Sequence, residues 1–114
     1  MNVEWIKCIM QSRCRLDLIN LDNTHFDSLT GVYLIWQGKD KRNVIKIGSG
    51  AIRECLTNMK KNTEVQKFAP DLFVTWASVP LKSLNGVEAF LNNEFHPRLS
   101  GSLNAPDLIN INLP

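Results

Sequence analysis

The chain has 114 residues, 44% of them hydrophobic, and a formal net charge of +2, which suits one compact domain with a single core. No apolar run approaches the roughly 18 residues of a membrane span, and the opening Met1-Asn-Val-Glu-Trp5 has neither the basic start nor the long apolar stretch of a secretion signal. The three cysteines, Cys8, Cys14 and Cys55, are odd in number and lack Cys-x-x-Cys spacing, so neither a disulfide framework nor a zinc knuckle is indicated and a reduced, cytoplasmic protein is expected.

Taken in chain order, Val3, Ile6, Ile9 and Met10 fall at helical spacing and predict a short helix over 3–11. Residues 15–21 alternate weakly and suit either an edge strand or an irregular entry segment. Asp22-Asn23 and Asp27-Ser28 suit turns. Two apolar runs of strand length follow, 31–36 and 44–48, joined by the polar stretch 37–43, as in a β-hairpin. Ser49-Gly50 suits a flexible helix start. Ile52, Cys55, Leu56 and Met59 then make a helical stripe that ends at Lys60-Lys61-Asn62, where cations favour the helix dipole.

Pro70 interrupts helix formation, and the aromatic and β-branched run 72–79 reads as a buried strand closed by Pro80. A second helix is expected from Gly86 to about Phe95. Asn85 would be its N-cap, Glu88 would stand at the capping-box position, Val87, Phe90 and Leu91 would be its buried stripe, and Pro97 would end it. The tail alternates from Ile109 to Leu113 and reads as a last short strand. The expected class is α+β with a β-β-α-β-α core at about 29–101, an N-terminal extension at 1–28 and a C-terminal strand or tail at 102–114, all in one domain.

Charge is unevenly placed. Residues 39–67 carry Lys39, Lys41, Arg42, Lys46, Arg53, Lys60, Lys61 and Lys67 against three acids, a local balance of +5, while both flanks are slightly negative. Such a basic middle attracts phosphate backbones through counterion release. It is equally the composition of a solvated hairpin tip and helix face.

Gly31-Val32-Tyr33 and Lys46-Ile47-Gly48, set at hairpin spacing, precede an amphipathic helix, and Glu88 lies nine residues before Pro97-Arg98-Leu99-Ser100. This arrangement resembles the GIY-YIG nuclease superfamily over roughly residues 29–101. The resemblance implies a small three-stranded mixed or antiparallel sheet flanked by helices, and DNA phosphodiester cleavage with one divalent ion, Mg²⁺ or Mn²⁺. Tyr33 matches the first signature tyrosine and Glu88 the metal-holding glutamate. Lys46 stands in the second tyrosine's place, where an ammonium can bind phosphate but cannot replace a phenol. The helix arginine of the family falls at Cys55, with Arg53 the nearest substitute; Met59 and Ser100 stand where a histidine and an asparagine are common.

The catalytic candidates are thus Tyr33, Lys46 and Arg53, with Glu88 for the metal. Lys39, Lys41, Arg42, Lys60, Lys61 and Arg98 are the candidates for contact with nucleic acid. The alternative is a silent member of the same scaffold that binds nucleic acid or another protein. Cys55, on an apolar helical stripe, is expected as a core residue rather than a nucleophile, and Trp36 and Trp76 as core rather than base-stacking residues.

Overall fold

A computed structural model describes residues 1–8, 14–38, 43–99 and 107–114. Among them the elements run β1 (Cys14–Arg15), β2 (Thr30–Gln37), β3 (Val44–Ala51), α1 (Ile52–Lys61), α2 (Thr63–Gln66), β4 (Leu72–Ser78) and α3 (Leu84–Phe95), with single 3₁₀ turns at Leu16–Leu18, Thr24–Phe26 and Leu81–Ser83. The four strands form one antiparallel sheet in the order β1-β4-β2-β3. The class is α+β, and the sheet has four strands where three were expected. The extra strand is β1, a two-residue edge that pairs Cys14 with Val74 and Arg15 with Phe73. Of the 15–21 stretch only Arg15 lies in this edge strand; Leu16–Leu18 form a 3₁₀ turn and the rest is irregular, so the stretch is mainly an entry segment.

Both faces of the sheet are covered, so its central strands read as continuous apolar runs rather than as alternating ones. On one face Tyr33 and Ile35 of β2 pack with Ile45, Ile52 and Leu56, and with Phe26, Leu16 and Cys14 of the N-terminal extension. On the other, Val32, Leu34 and Trp36 pack with Ile47, with Leu84, Val87 and Leu91 of α3, and with Ile111 of the tail. Trp36 and Trp76 are 1% and 4% exposed; both are core residues.

Four expectations are corrected. Residues 1–8 form no helix: Ile6 donates its N–H to the carbonyl of Trp76 at 2.9 Å, and Thr75 Oγ1 donates to the carbonyl of Ile6 at 2.8 Å. Hydrogen bonding to the flank of β4 there outweighs a weak local helical stripe; residues 9–11 of that stretch lie outside the described residues. The tail 107–114 forms no strand, because its groups are satisfied by α3 and the N-terminal arm instead: Ile109 donates to the carbonyl of Gly86 at 3.1 Å, and Asn112 pairs with Val3. Cys8 and Cys14 form a disulfide, with their Cα atoms 5.2 Å apart, so the disulfide-free chain expected from the cysteine count does not hold. Ser49 and Gly50 belong to β3, not to the start of α1.

Candidate functional site

β3 is the outer strand of the sheet, and Gly48 lies opposite Tyr33 in its register with β2. Directly opposed residues share a face, so the phenol of Tyr33 lies over Gly48. A Cβ at position 48 would collide with the ring and hydroxyl of Tyr33. The next residue, Ser49, points to the α3 face because successive strand side chains alternate. There its hydroxyl donates to Glu88 Oε1 at 2.5 Å. Cys55, on the first turns of α1, places its thiol 3.6 Å from the carbonyl oxygen of Ser49. Tyr33 and Cys55 therefore reach the C-terminal half of β3 from one side, and Glu88 reaches it from the other.

The electrostatics follow from that crowding. Burial pushes the Tyr33 phenol well above its usual range, and negative charge at Cys55 and Glu88 adds to the rise. Burial likewise raises the Cys55 thiol, with Glu54 and Glu88 reinforcing it against a smaller opposing effect of a backbone hydrogen bond. Both groups hold their protons at neutral pH. A buried protonated thiol is a poor nucleophile, and a protonated phenol acts as a hydrogen-bond donor rather than a base.

Glu88 is not part of a capping box. Helix α3 begins at Leu84 with Ser83 at its N-cap, so Asn85 lies inside the helix and caps nothing. The 3₁₀ turn Leu81–Ser83 feeds straight into α3 and starts it earlier than the Asn85 signal implied. That leaves the Glu88 carboxylate to Ser49. Sequence reasoning missed Ser49 because Ser49-Gly50 looked like a helix lead-in; extending the period of β3 past Gly48 would have found it.

The other candidates are placed differently. Lys46, opposite Ile35, lies on the Tyr33 face of β3, one residue pair from Gly48, and is half-buried. Among the described residues its ammonium has no hydrogen bond or ion pair. Arg53 is held away from the cluster. Its Nε donates to the carbonyl of Leu21 at 2.8 Å, and its Nη2 donates to the carbonyl of Asn23 at 3.0 Å and to Asp27 Oδ1 at 2.7 Å. Its guanidinium ties α1 to the N-terminal extension.

Arg98 lies alongside the start of β3, where its N–H donates to the carbonyl of Val44 at 3.0 Å and its Nε to Asn43 Oδ1 at 3.2 Å. That is four strand residues from Gly48, about 13 Å at the strand rise. Lys60 donates to the carbonyl of Ile19 at 2.6 Å, and Lys61 is exposed at the end of α1. Lys39, Lys41, Arg42 and Ser100 lie outside the described residues. Met59 packs against the core on the α1 side.

Among the described residues no group of three or more His, Cys, Asp or Glu could together hold a metal ion. Glu88 offers a single carboxylate, with one oxygen engaged by Ser49. A lone carboxylate does not make a tetrahedral zinc site; Mg²⁺, which keeps several waters, is the kind of ion that proteins hold through one or two carboxylates together with substrate phosphates.

No family model, curated protein or solved structure matches the chain.

Among the described residues no helix is long and apolar enough to cross a membrane.

Proposed function

We propose that this chain is a GIY-YIG-like domain that cleaves DNA phosphodiesters in the presence of Mg²⁺ or Mn²⁺ through an atypical site. The observation that carries this is the meeting of Tyr33 and Glu88 at Gly48 and Ser49 of the outer strand, from opposite faces of the sheet. A divalent ion, when bound, supplies Lewis-acid polarisation of the phosphate. Glu88 would hold it, and the Ser49 hydroxyl fixes one carboxylate oxygen. Tyr33, kept protonated, donates a hydrogen bond and does not abstract a proton. Lys46 contributes the positive charge on that face, as a point charge rather than a bidentate clamp. With Arg53 tied to Leu21, Asn23 and Asp27, the site has no guanidinium among these groups to stabilise the developing phosphate charge.

The test is cleavage of plasmid and branched DNA with Mg²⁺ or Mn²⁺, run beside Glu88→Ala. Wild-type protein should cut, and Glu88→Ala should lose about 10²-fold or more. Equal activity in the two proteins would overturn the assignment.

Two observations favour a second reading, a scaffold that binds nucleic acid without cutting it. Tyr33 is only 4% exposed, and the position matching the family arginine is Cys55. Fold likeness does not by itself transfer activity. If neither protein cuts, a gel shift that weakens steeply with salt supports this second reading, and no shift at low salt removes it.

A further inference from the structure

A recess separate from the Tyr33 and Glu88 cluster lies where β1, the end of α1 and the start of β4 meet. Its volume is about 380 Å³, within the range that small-molecule sites occupy. Four charged side chains line it: Arg15, Asp17, Lys60 and Asp71. Arg15 lies between the two acids, with its Nε 3.3 Å from Asp17 Oδ1 and its Nη1 3.2 Å from Asp71 Oδ1. Its guanidinium also stands over the Phe73 ring, 5.5 Å from the centroid. Arg15 is thereby fixed, while each carboxylate retains a second oxygen with acceptor capacity.

Lys60 is held differently. Its ammonium donates to the backbone carbonyl of Ile19, which orients it without cancelling its charge and leaves two donors. Buried Leu16 and Leu72 supply an apolar wall. The recess therefore presents an uncancelled cation and two acids with spare acceptors beside an apolar surface, and its four charges sum to zero. A ligand of net charge would upset that balance. A neutral molecule carrying both an ammonium and a carboxylate would match it.

We propose that this recess binds a free α-amino acid, with its carboxylate on Lys60, its ammonium on Asp17 and Asp71, and an apolar side chain against Leu16 and Leu72. Asp71 has a backbone φ of +67°, a left-handed conformation that asparagine also tolerates, so Asp71→Asn removes the charge while leaving that backbone accessible.

The experiment titrates the full chain, isotopically labelled, with each of the twenty free amino acids up to about 10 mM, where sites of millimolar affinity fill, and follows amide shifts by NMR. At least one amino acid with an apolar side chain should move the signals of residues 15–17, 60 and 71–72, leaving those of Gly48 and Glu88 in place. Its N-acetyl and carboxamide forms, each lacking one charge, should bind at least about tenfold more weakly. Lys60→Met and Asp71→Asn, each confirmed folded by spectral dispersion, should show the same loss. The proposal is overturned if no amino acid shifts these signals, if the shifts fall elsewhere, if either blocked form binds as well as the free one, or if both folded variants keep wild-type affinity.

Discussion

Tyr33 is the only tyrosine in the chain, so its ionisation can be read directly from tyrosinate absorbance. Its folded-state value lies above the ordinary 10.0, with burial as the first cause. The folded state therefore binds this proton more tightly than the unfolded state. The associated stability is complete below pH 10 and is lost as pH rises beyond it. Tyrosinate should stay absent above pH 10 for as long as circular dichroism reports an intact fold, and should appear together with unfolding. A normal phenol titration in a folded protein would contradict this. The glycine beneath the ring is equally specific. Gly48→Ala would drive a Cβ into the buried Tyr33 side chain, and overpacking of this kind costs about 1–3 kcal/mol. A fall in the urea midpoint at unchanged m-value is the expected result. Gly31 answers to a similar constraint, because a Cβ there would overlap the backbone carbonyl of Ala77 on β4. Two glycines of the split motif are thus explained by close approach, whatever chemistry the site performs.

At the scale of elements, α1 owes its position to both ends of its sequence pattern. The apolar stripe was legible: Ile52 and Leu56 are fully buried, and Cys55 and Met59 pack at the margin of the same cluster. The role of Arg53 was not legible, since its partners lie 26 to 32 residues away and two of them are backbone carbonyls. Arg53→Ala should cost about 1 kcal/mol, because the pair with Asp27 is exposed and one or two of its bonds carry most of the effect. The loss should be local. Amides of Phe26, Asp27 and Leu29, which close the turn at Thr24–Phe26, should lose hydrogen-exchange protection while those of β2 and β3 keep theirs. Uniform loss across the sheet would show instead that α1 docking itself depends on the arginine. Helix α2 escaped notice for a simpler reason. Its four residues are too few to show a period, although Asn62 caps it by accepting from the N–H of Val65 at 3.1 Å.

For the whole molecule, the decisive contacts join its ends. The Asn112 amide accepts from the N–H of Val3 at 2.7 Å and donates to the carbonyl of Val3 at 2.9 Å, and Trp5 Nε1 donates to the carbonyl of Asn112 at 2.8 Å. Asn112→Ala removes two exposed hydrogen bonds, worth about 1 kcal/mol together. Residues 1–8 should then be clipped several-fold faster by a protease while the core stays resistant; unchanged clipping would show that the remaining ties, Ile6 on β4, Trp5 on the carbonyl of residue 112 and the Cys8–Cys14 disulfide, hold the arm without that side chain. What the sequence determined by itself was local and periodic: the β2–β3 hairpin, the stripe of α1, the buried β4, the helix that carries Glu88, and hence an α+β chain, whereas the register that sets Gly48 opposite Tyr33 came from the fold. The local features follow from nearest-neighbour geometry, in which burial and turn chemistry act over a few residues. The tertiary structure decided the rest. It decided that β1 completes the sheet, that both termini run without regular structure against one another, that Cys8 meets Cys14, that Arg53 serves the N-terminal extension, and that Glu88 reaches Ser49 rather than capping its own helix. Each of these joins residues that no local period relates, through hydrogen bonds or covalent links whose partners only the folded chain brings within reach.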